Sequence, residues 1–178
     1  MRIDPKYFNI VVGSAGVFAI ILIGLFTISH FTGQQVEFRE EIGDGSEIRE
    51  FQFETFAEGD TLSIADFAGQ PVVLDFWATW SHRSQYPHQQ LDEVKQQHQE
   101  LVVISAMVKD DEANLRSYLQ DVEYDFIFVD GTDAYQDFLV PGIPTYLFFD
   151  REGELIDIII GSRNIDDFAI LTTYLEEQ

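Results

Sequence analysis

The stretch Val72-Val73-Leu74-Asp75-Phe76-Trp77-Ala78-Thr79-Trp80-Ser81-His82-Arg83-Ser84 decides the fold. Its opening residues, Asp75 apart, are apolar, the composition of a strand buried on both faces, and the residues after Ser84 are polar and helical in character. The turn between them therefore stands at the carboxyl end of a strand and the amino end of a helix, where α/β proteins place their sites. A pair of cysteines two residues apart at such a turn would be a redox motif. Here both positions are serine, Ser81 and Ser84, and the chain of 178 residues has no cysteine anywhere. Thiol–disulfide exchange needs a thiolate to attack and a second sulfur to resolve, and a hydroxyl is far too weakly acidic to replace either.

Phe76-Trp77-Ala78-Thr79-Trp80, with Ser81 and Ser84 in the next positions, resembles the F-W-A-T-W-C-x-x-C entry of the TlpA/ResA-like membrane-anchored thioredoxins. Three further stretches extend the resemblance in order: Leu62-Ser63-Ile64-Ala65-Asp66-Phe67-Ala68-Gly69, then Leu91-Asp92-Glu93-Val94, then Val140-Pro141-Gly142-Ile143-Pro144-Thr145 with Asp150-Arg151-Glu152-Gly153 behind it. Together they run from about Phe51 to Glu177. The resemblance implies a thioredoxin-like α/β sandwich, a central mixed sheet flanked by helices, with Pro144 cis and facing the turn. It also implies an ancestry of thiol–disulfide oxidoreductases acting on cytochrome or oxidase thiols.

The serines admit two readings: a redox-inactive interaction or accessory module, or such an oxidoreductase seen as a Cys-to-Ser variant. The surroundings favour the first. The family's proline before the second cysteine is Arg83 here, and its Glu and Pro on the next helix fall on Pro87 and Gln89. A two-letter edit would leave those positions alone.

Upstream the chain carries an anchor. No charged residue lies between Tyr7 and Val36, and Phe8 to Phe31 is almost wholly apolar or small; about 20 such residues cross the hydrocarbon core as a helix. A cleaved signal peptide is the rival, but its apolar part is typically about 7–15 residues and ends in a small-x-small site, which Thr27-Ile28-Ser29-His30 does not supply. Arg2 and Lys6 precede the span and Arg39 is the first basic residue after it. That bias puts the amino end in the cytoplasm. The expected organisation is a cytoplasmic tip at 1–6, a transmembrane helix at 7–31, a tether at 32–49 and the thioredoxin-like domain at 50–178. The domain would then lie on the periplasmic or outer face of a bacterial inner membrane. Gly13, Gly16 and Gly24 mark either a helix-packing face or the ordinary small residues of a single span.

The charge is extreme. Of the 10 basic and 32 acidic residues only Arg2, Lys6 and Asp4 precede Glu37, which leaves the remainder with 8 and 31, a net of −23. Nucleic acid and anionic headgroups are disfavoured as partners. Acids spread from Glu37 to Glu177 fit a surface solvated in high salt better than a face built for one basic partner. With 46% hydrophobic and 14% aromatic residues the domain can still bury a core.

Periodicity predicts a strand over Ile48–Phe56, a short helix over Thr61–Phe67, and helices over Ser84–Glu100, restarted or kinked at Pro87, and Asp111–Val122. Strands are expected at Pro71–Phe76, Leu101–Val108 and Asp125–Val129, a helical turn at Thr132–Phe138, and a hairpin of Pro144–Asp150 with Glu154–Gly161. Asn164 resembles the N-cap of a last helix with Asp167 in its first turn.

Single residues have plain roles to weigh against functional ones. The resemblance makes Asp75 the family's buried acid, which with no cysteine to serve is a desolvated carboxyl, protonated or hydrogen-bonded, with Ser84 the candidate partner. Ser81 beside His82 lacks the glycines and the orienting acid of a hydrolase site, so Ser81 reads as a helix cap. No catalytic residue is expected. His82 and Arg83 at a helix amino end suit an acidic group of a protein partner better than a free anion. His82, His88 and His98 have no ligand spacing, so neither a metal nor any other cofactor is expected. The resemblance puts Trp77 in the core and Trp80 on the rim. The expected binding surface is Trp80, His82 and Arg83 with Ile143, Pro144 and Thr145, whose backbone could pair with an extended peptide. The expected partners are membrane or periplasmic proteins, and the bilayer itself through the amino-terminal helix.

Overall fold

The computed structural model describes residues 5–56, 59–120, 122–161 and 168–177. The chain divides into two units at Glu37 and Phe38. The first is the greater part of helix α1 (Pro5–Ile42), in which the stretch from Val12 onward is long and apolar enough to cross a membrane. Its side chains from Val12 to Phe31 are exposed, and Thr27 Oγ1 donates back to the Ile23 carbonyl at 2.8 Å, which satisfies that hydroxyl within the run's own backbone.

The second unit is built on a mixed sheet of seven strands among the described residues, ordered β2-β1-β5-β4-β3-β6-β7. These are β1 (Phe53–Thr55), β2 (Thr61–Leu62), β3 (Val72–Trp77), β4 (Val102–Met107), β5 (Ile127–Asp130), β6 (Thr145–Phe149) and β7 (Leu155–Ile160). Strands β3, β4 and β5 run parallel, and β6 is antiparallel to both β3 and β7. Helices α3 (His82–Gln97), α4 (Glu112–Tyr118), α5 (Thr132–Asp137) and α6 (Ala169–Glu176) flank it. This is the expected thioredoxin-like sandwich.

All six residues of β3 are buried. Alternation along the strand sends Val72, Leu74 and Phe76 into one core, with Phe53, Ala134 and Phe138. Val73 goes into the other, with Leu91 of α3, Phe148, and Leu171 and Leu175 of α6. Trp77 heads a third cluster with Met107 and Leu115. The helix ends follow local chemistry: Asp111 caps α4 by accepting from the Asn114 backbone N–H at 2.9 Å. Helix α4 stops at Tyr118, short of the expected Val122. Helix α3 runs unbroken from His82 to Gln97 with Pro87 inside it, so the missing N–H at Pro87 removes one bond without ending the helix. Asn164 and Asp167 lie outside the described residues.

The largest departure is at residues 32–49, expected as a tether. They are helical except at the break before α2 (Ser46–Glu50), and Phe38, Ile42 and Ile48 are buried in the first core. The apolar residues among the acids here are spaced to face the sheet, and the same spacing carries the helix past the expected membrane boundary. Arg39 donates to the Ile158 carbonyl at 3.2 Å and Arg49 to that of Gly153 at 3.3 Å. Gly45 has φ 82°, and a Cβ there would stand 2.8 Å from Cβ of Leu155, so only glycine allows this close passage. The same packing replaces the start of the strand expected at Ile48–Phe56, which is reduced to β1.

Replacing Phe38 by Ala should therefore cost about 3–5 kcal/mol of the domain's stability. The neighbouring exposed change Glu37→Ala should stay within about 0.5 kcal/mol. Urea unfolding of the full chain in lipid nanodiscs measures both; equal, negligible effects would restore the tether.

Candidate functional site

Strand β3 delivers Trp77 to the sheet's carboxyl end, and the chain turns through Ala78–Ser81, where the Ser81 N–H donates to the Ala78 carbonyl at 3.1 Å. A side chain from the next strand's exit clamps this turn. Asp110 Oδ2 accepts both the Thr79 backbone N–H at 2.8 Å and the Thr79 hydroxyl at 2.6 Å, while Oδ1 accepts from Asn114 Nδ2 at 2.7 Å. Desolvation works to raise Asp110, but the hydrogen bonds from Thr79, Asn114 and the Asp111 backbone outweigh it and hold the carboxyl below its ordinary value.

Trp80 projects from the clamped turn with 60% of its surface exposed, and His82, the first residue of α3, is exposed beside it. Ser81 occupies the N-cap position with extended backbone, φ −94° and ψ 98°, but its hydroxyl makes no capping bond. Half of the expectation for Ser81 therefore holds. The side chains of Arg83 and Ser84 lie outside the described residues.

The other half of the expected surface is arranged differently. Phe76 pairs with Thr145, which brings the loop before β6 alongside the turn, and the Ile143–Pro144 peptide is cis. Ile143 is half-buried, whereas Pro144 and Thr145 are buried. The Thr145 hydroxyl donates to the Gly142 carbonyl at 2.7 Å, and the Pro144 carbonyl accepts from the Gly161 N–H at 2.8 Å. Because β7 already uses this backbone, Pro144 and Thr145 do not offer it to an incoming peptide. Among the side chains described, Trp80, His82 and Ile143 are what remains of the surface.

Beneath the turn lies a feature that spacing did not reveal. Asp75 is fully buried, and its Oδ2 lies 2.6 Å from Nε2 of the equally buried His88, with the Ser105 hydroxyl at a marginal 3.5 Å. His88 Nδ1 in turn lies 3.0 Å from the Tyr118 hydroxyl. Nε2 thus faces the Asp75 carboxyl, and the phenol meets the opposite ring edge. Trp77 packs edge-on to the imidazole, 4.4 Å between centroids, and Phe126 closes another side at 5.7 Å. Burial pushes the Tyr118 phenol far above its usual value, with a hydrogen bond to Tyr124 adding to the effect.

The partner of Asp75 is thus His88, not the Ser84 expected from sequence. With its two nitrogens facing Asp75 and Tyr118, His88 is turned away from any metal shared with His82 or His98. Asp75 and His88 are buried and Tyr118 is half-buried, and the row ties β3 to α3 and α4. Sequence did hold a signal for it. His88 lies three residues before Leu91 and seven before Lys95, all buried, hence on the inward face of α3.

A turn of this geometry beside a cis-proline loop, on a mixed sheet flanked by helices, defines the thioredoxin class. Comparison agrees: the sequence model described as thioredoxin-like matches residues 69–155. The thioredoxin-like protein YneN of Bacillus subtilis is 25% identical over 158 residues, covering 83% of this chain and 89% of that one. The thiol-disulfide oxidoreductase ResA of Bacillus cereus is 27% identical over 150 residues, covering 81% and 86%. Among solved structures, MTB dsbF in its mixed oxidized and reduced forms superposes with a TM-score of 0.62 at 24% identity, covering 71% of this chain and 96% of that one. The chain is thus similar to thioredoxin-like proteins, TlpA/ResA-like ones among them, and carries serine at both positions where their motif has cysteine.

Two outcomes are expected from the buried row and the clamp. His88→Leu should cost about 3–5 kcal/mol because it strands a buried carboxylate, while Asp75→Leu with His88→Leu should recover most of that loss; chemical denaturation of the three chains measures the coupling. Asp110 is lowered on folding, so its contribution is complete above the unfolded value near pH 4 and is lost as pH falls through the folded one. Asp110→Asn should flatten that acid limb of the stability curve, and an unchanged limb would show that the clamp carries no linkage.

Proposed function

We propose that this chain is a redox-inactive, membrane-anchored thioredoxin-fold module, an interaction or accessory subunit of a membrane or periplasmic protein complex. The observation that carries the reading is serine at both 81 and 84 in a chain that has no cysteine at any other position. The relatives named for disulfide chemistry need two thiols for it; this chain keeps the turn that would present them and lacks the atoms. What remains at the turn is a clamped loop carrying an exposed indole and an exposed imidazole, the kind of aromatic anchor on which contact energy concentrates. The apolar stretch of α1 and the basic residues before it support an inner-membrane anchor with its amino end in the cytoplasm and the domain on the periplasmic or outer face.

The full chain should show no insulin-reduction turnover above buffer, whereas Ser81→Cys with Ser84→Cys should introduce a reducible dithiol at the helix amino end. Gentle co-purification from native membranes should recover it within one complex, and Trp80→Ala with His82→Ala should lower that recovery by about tenfold or more. Cysteine codons at 81 and 84 in its gene would instead support the variant oxidoreductase, and turnover by the chain with serine at both positions would overturn the redox-inactive reading. Recovery only as a free monomer would overturn the accessory role.

A further inference from the structure

Away from the turn, a cavity of about 580 Å³ opens between α4 and the β1–β2 hairpin. Its walls are Phe56 and Leu62 on the hairpin side, Leu115 and Leu119 on α4 and its end, and Phe126 and Phe128 around the start of β5. That size, with apolar walls and a few polar groups at the mouth, is the character of a binding site. Three charged residues stand at the mouth: Asp60 on the hairpin, Glu112 and Arg116 on α4. Arg116 Nη2 donates to Glu112 Oε1 at 2.6 Å, so those two neutralise each other. Asp60 is exposed and makes no ion pair among the described residues, which leaves one negative charge over an apolar hole.

The occupant's chemistry follows from charge and from the sheet. A domain of net charge −23 repels an anionic amphiphile and draws a cationic one. Strand β2, whose Thr61 and Leu62 border the cavity, is the outermost strand of the sheet, so an extended segment can lie against its outer edge. We propose that this cavity receives an aromatic or long aliphatic side chain of an extended basic segment of a partner protein, with an adjacent lysine or arginine meeting Asp60. The inference rests on the domain being an interaction module and gives it a second contact surface that shares no residue with the turn.

The test uses the full chain in nanodiscs, with methyl-labelled leucine and isoleucine followed by NMR, titrated with the capped peptide Lys-Phe-Lys. Saturable shifts at Leu62, Leu115 and Leu119 are expected, and Asp60→Lys should weaken them by about tenfold. Asp133→Lys makes the same charge change on an exposed residue outside the cavity and should weaken them far less. Leu119→Trp, which fills the hole, should abolish them. Absence of saturable shifts at these methyls overturns the proposal. So does equal binding of Glu-Phe-Glu, or of free phenethylammonium, which would make the site one for a small cation. Because turn-dependent co-purification is a separate readout, a negative titration alongside intact Trp80-dependent recovery would remove this surface and leave the module reading standing.

Discussion

Burial of β3 along its whole length is the constraint on which the rest of the domain depends. A strand with six buried residues needs cover on both faces, and helices α3 and α6 supply one cover while α5 and the end of α1 supply the other. Such a strand tolerates a carboxylate only where a donor is buried with it, because an unpaired buried charge costs several kcal/mol. Asp75 therefore fixes where α3 must pass, with His88 against it at 2.6 Å. Tyr118 on the far side of the imidazole extends the same requirement to α4. The polar row is less an added feature than a condition on how three elements meet.

Much of this was legible in the chain. The apolar run before the turn, the alternation of strands and helices, and the hairpin at Arg151-Glu152-Gly153 each carry a local pattern that tertiary packing did not override. Residues 32–49 read as a linker because glycines and acids there suggest one, while Phe38, Ile42 and Ile48 taken singly look like scattered surface apolars. Only the sheet face they cover shows that they form one stripe. Asp75 was legible as a problem but not as a solution. Its partner lies thirteen residues on, and only helical spacing from the apolar Leu91 marks His88 as a polar side chain of that helix that faces inward. Pro144 and Thr145 were placed correctly along the chain and wrongly with respect to solvent, since it is the pairing with β7 that consumes their backbone.

Scaffold and chemistry are separable at this site, and the contacts show why. The turn's shape is held by Asp110 on Thr79, by the Ser81 N–H on Ala78 and by Trp77 packed on His88. None of these contacts uses the side chain of residue 81. A thiol at that position would be presented by the fold without supporting it, so its replacement by a hydroxyl of similar size leaves the presenting surface in place. Loss of a structural side chain such as Trp77 would behave in the opposite way, because its ring closes a cluster that includes Met107 and Leu115. What the turn displays is an indole and an imidazole on a loop held by Asp110, whichever side chain stands at 81.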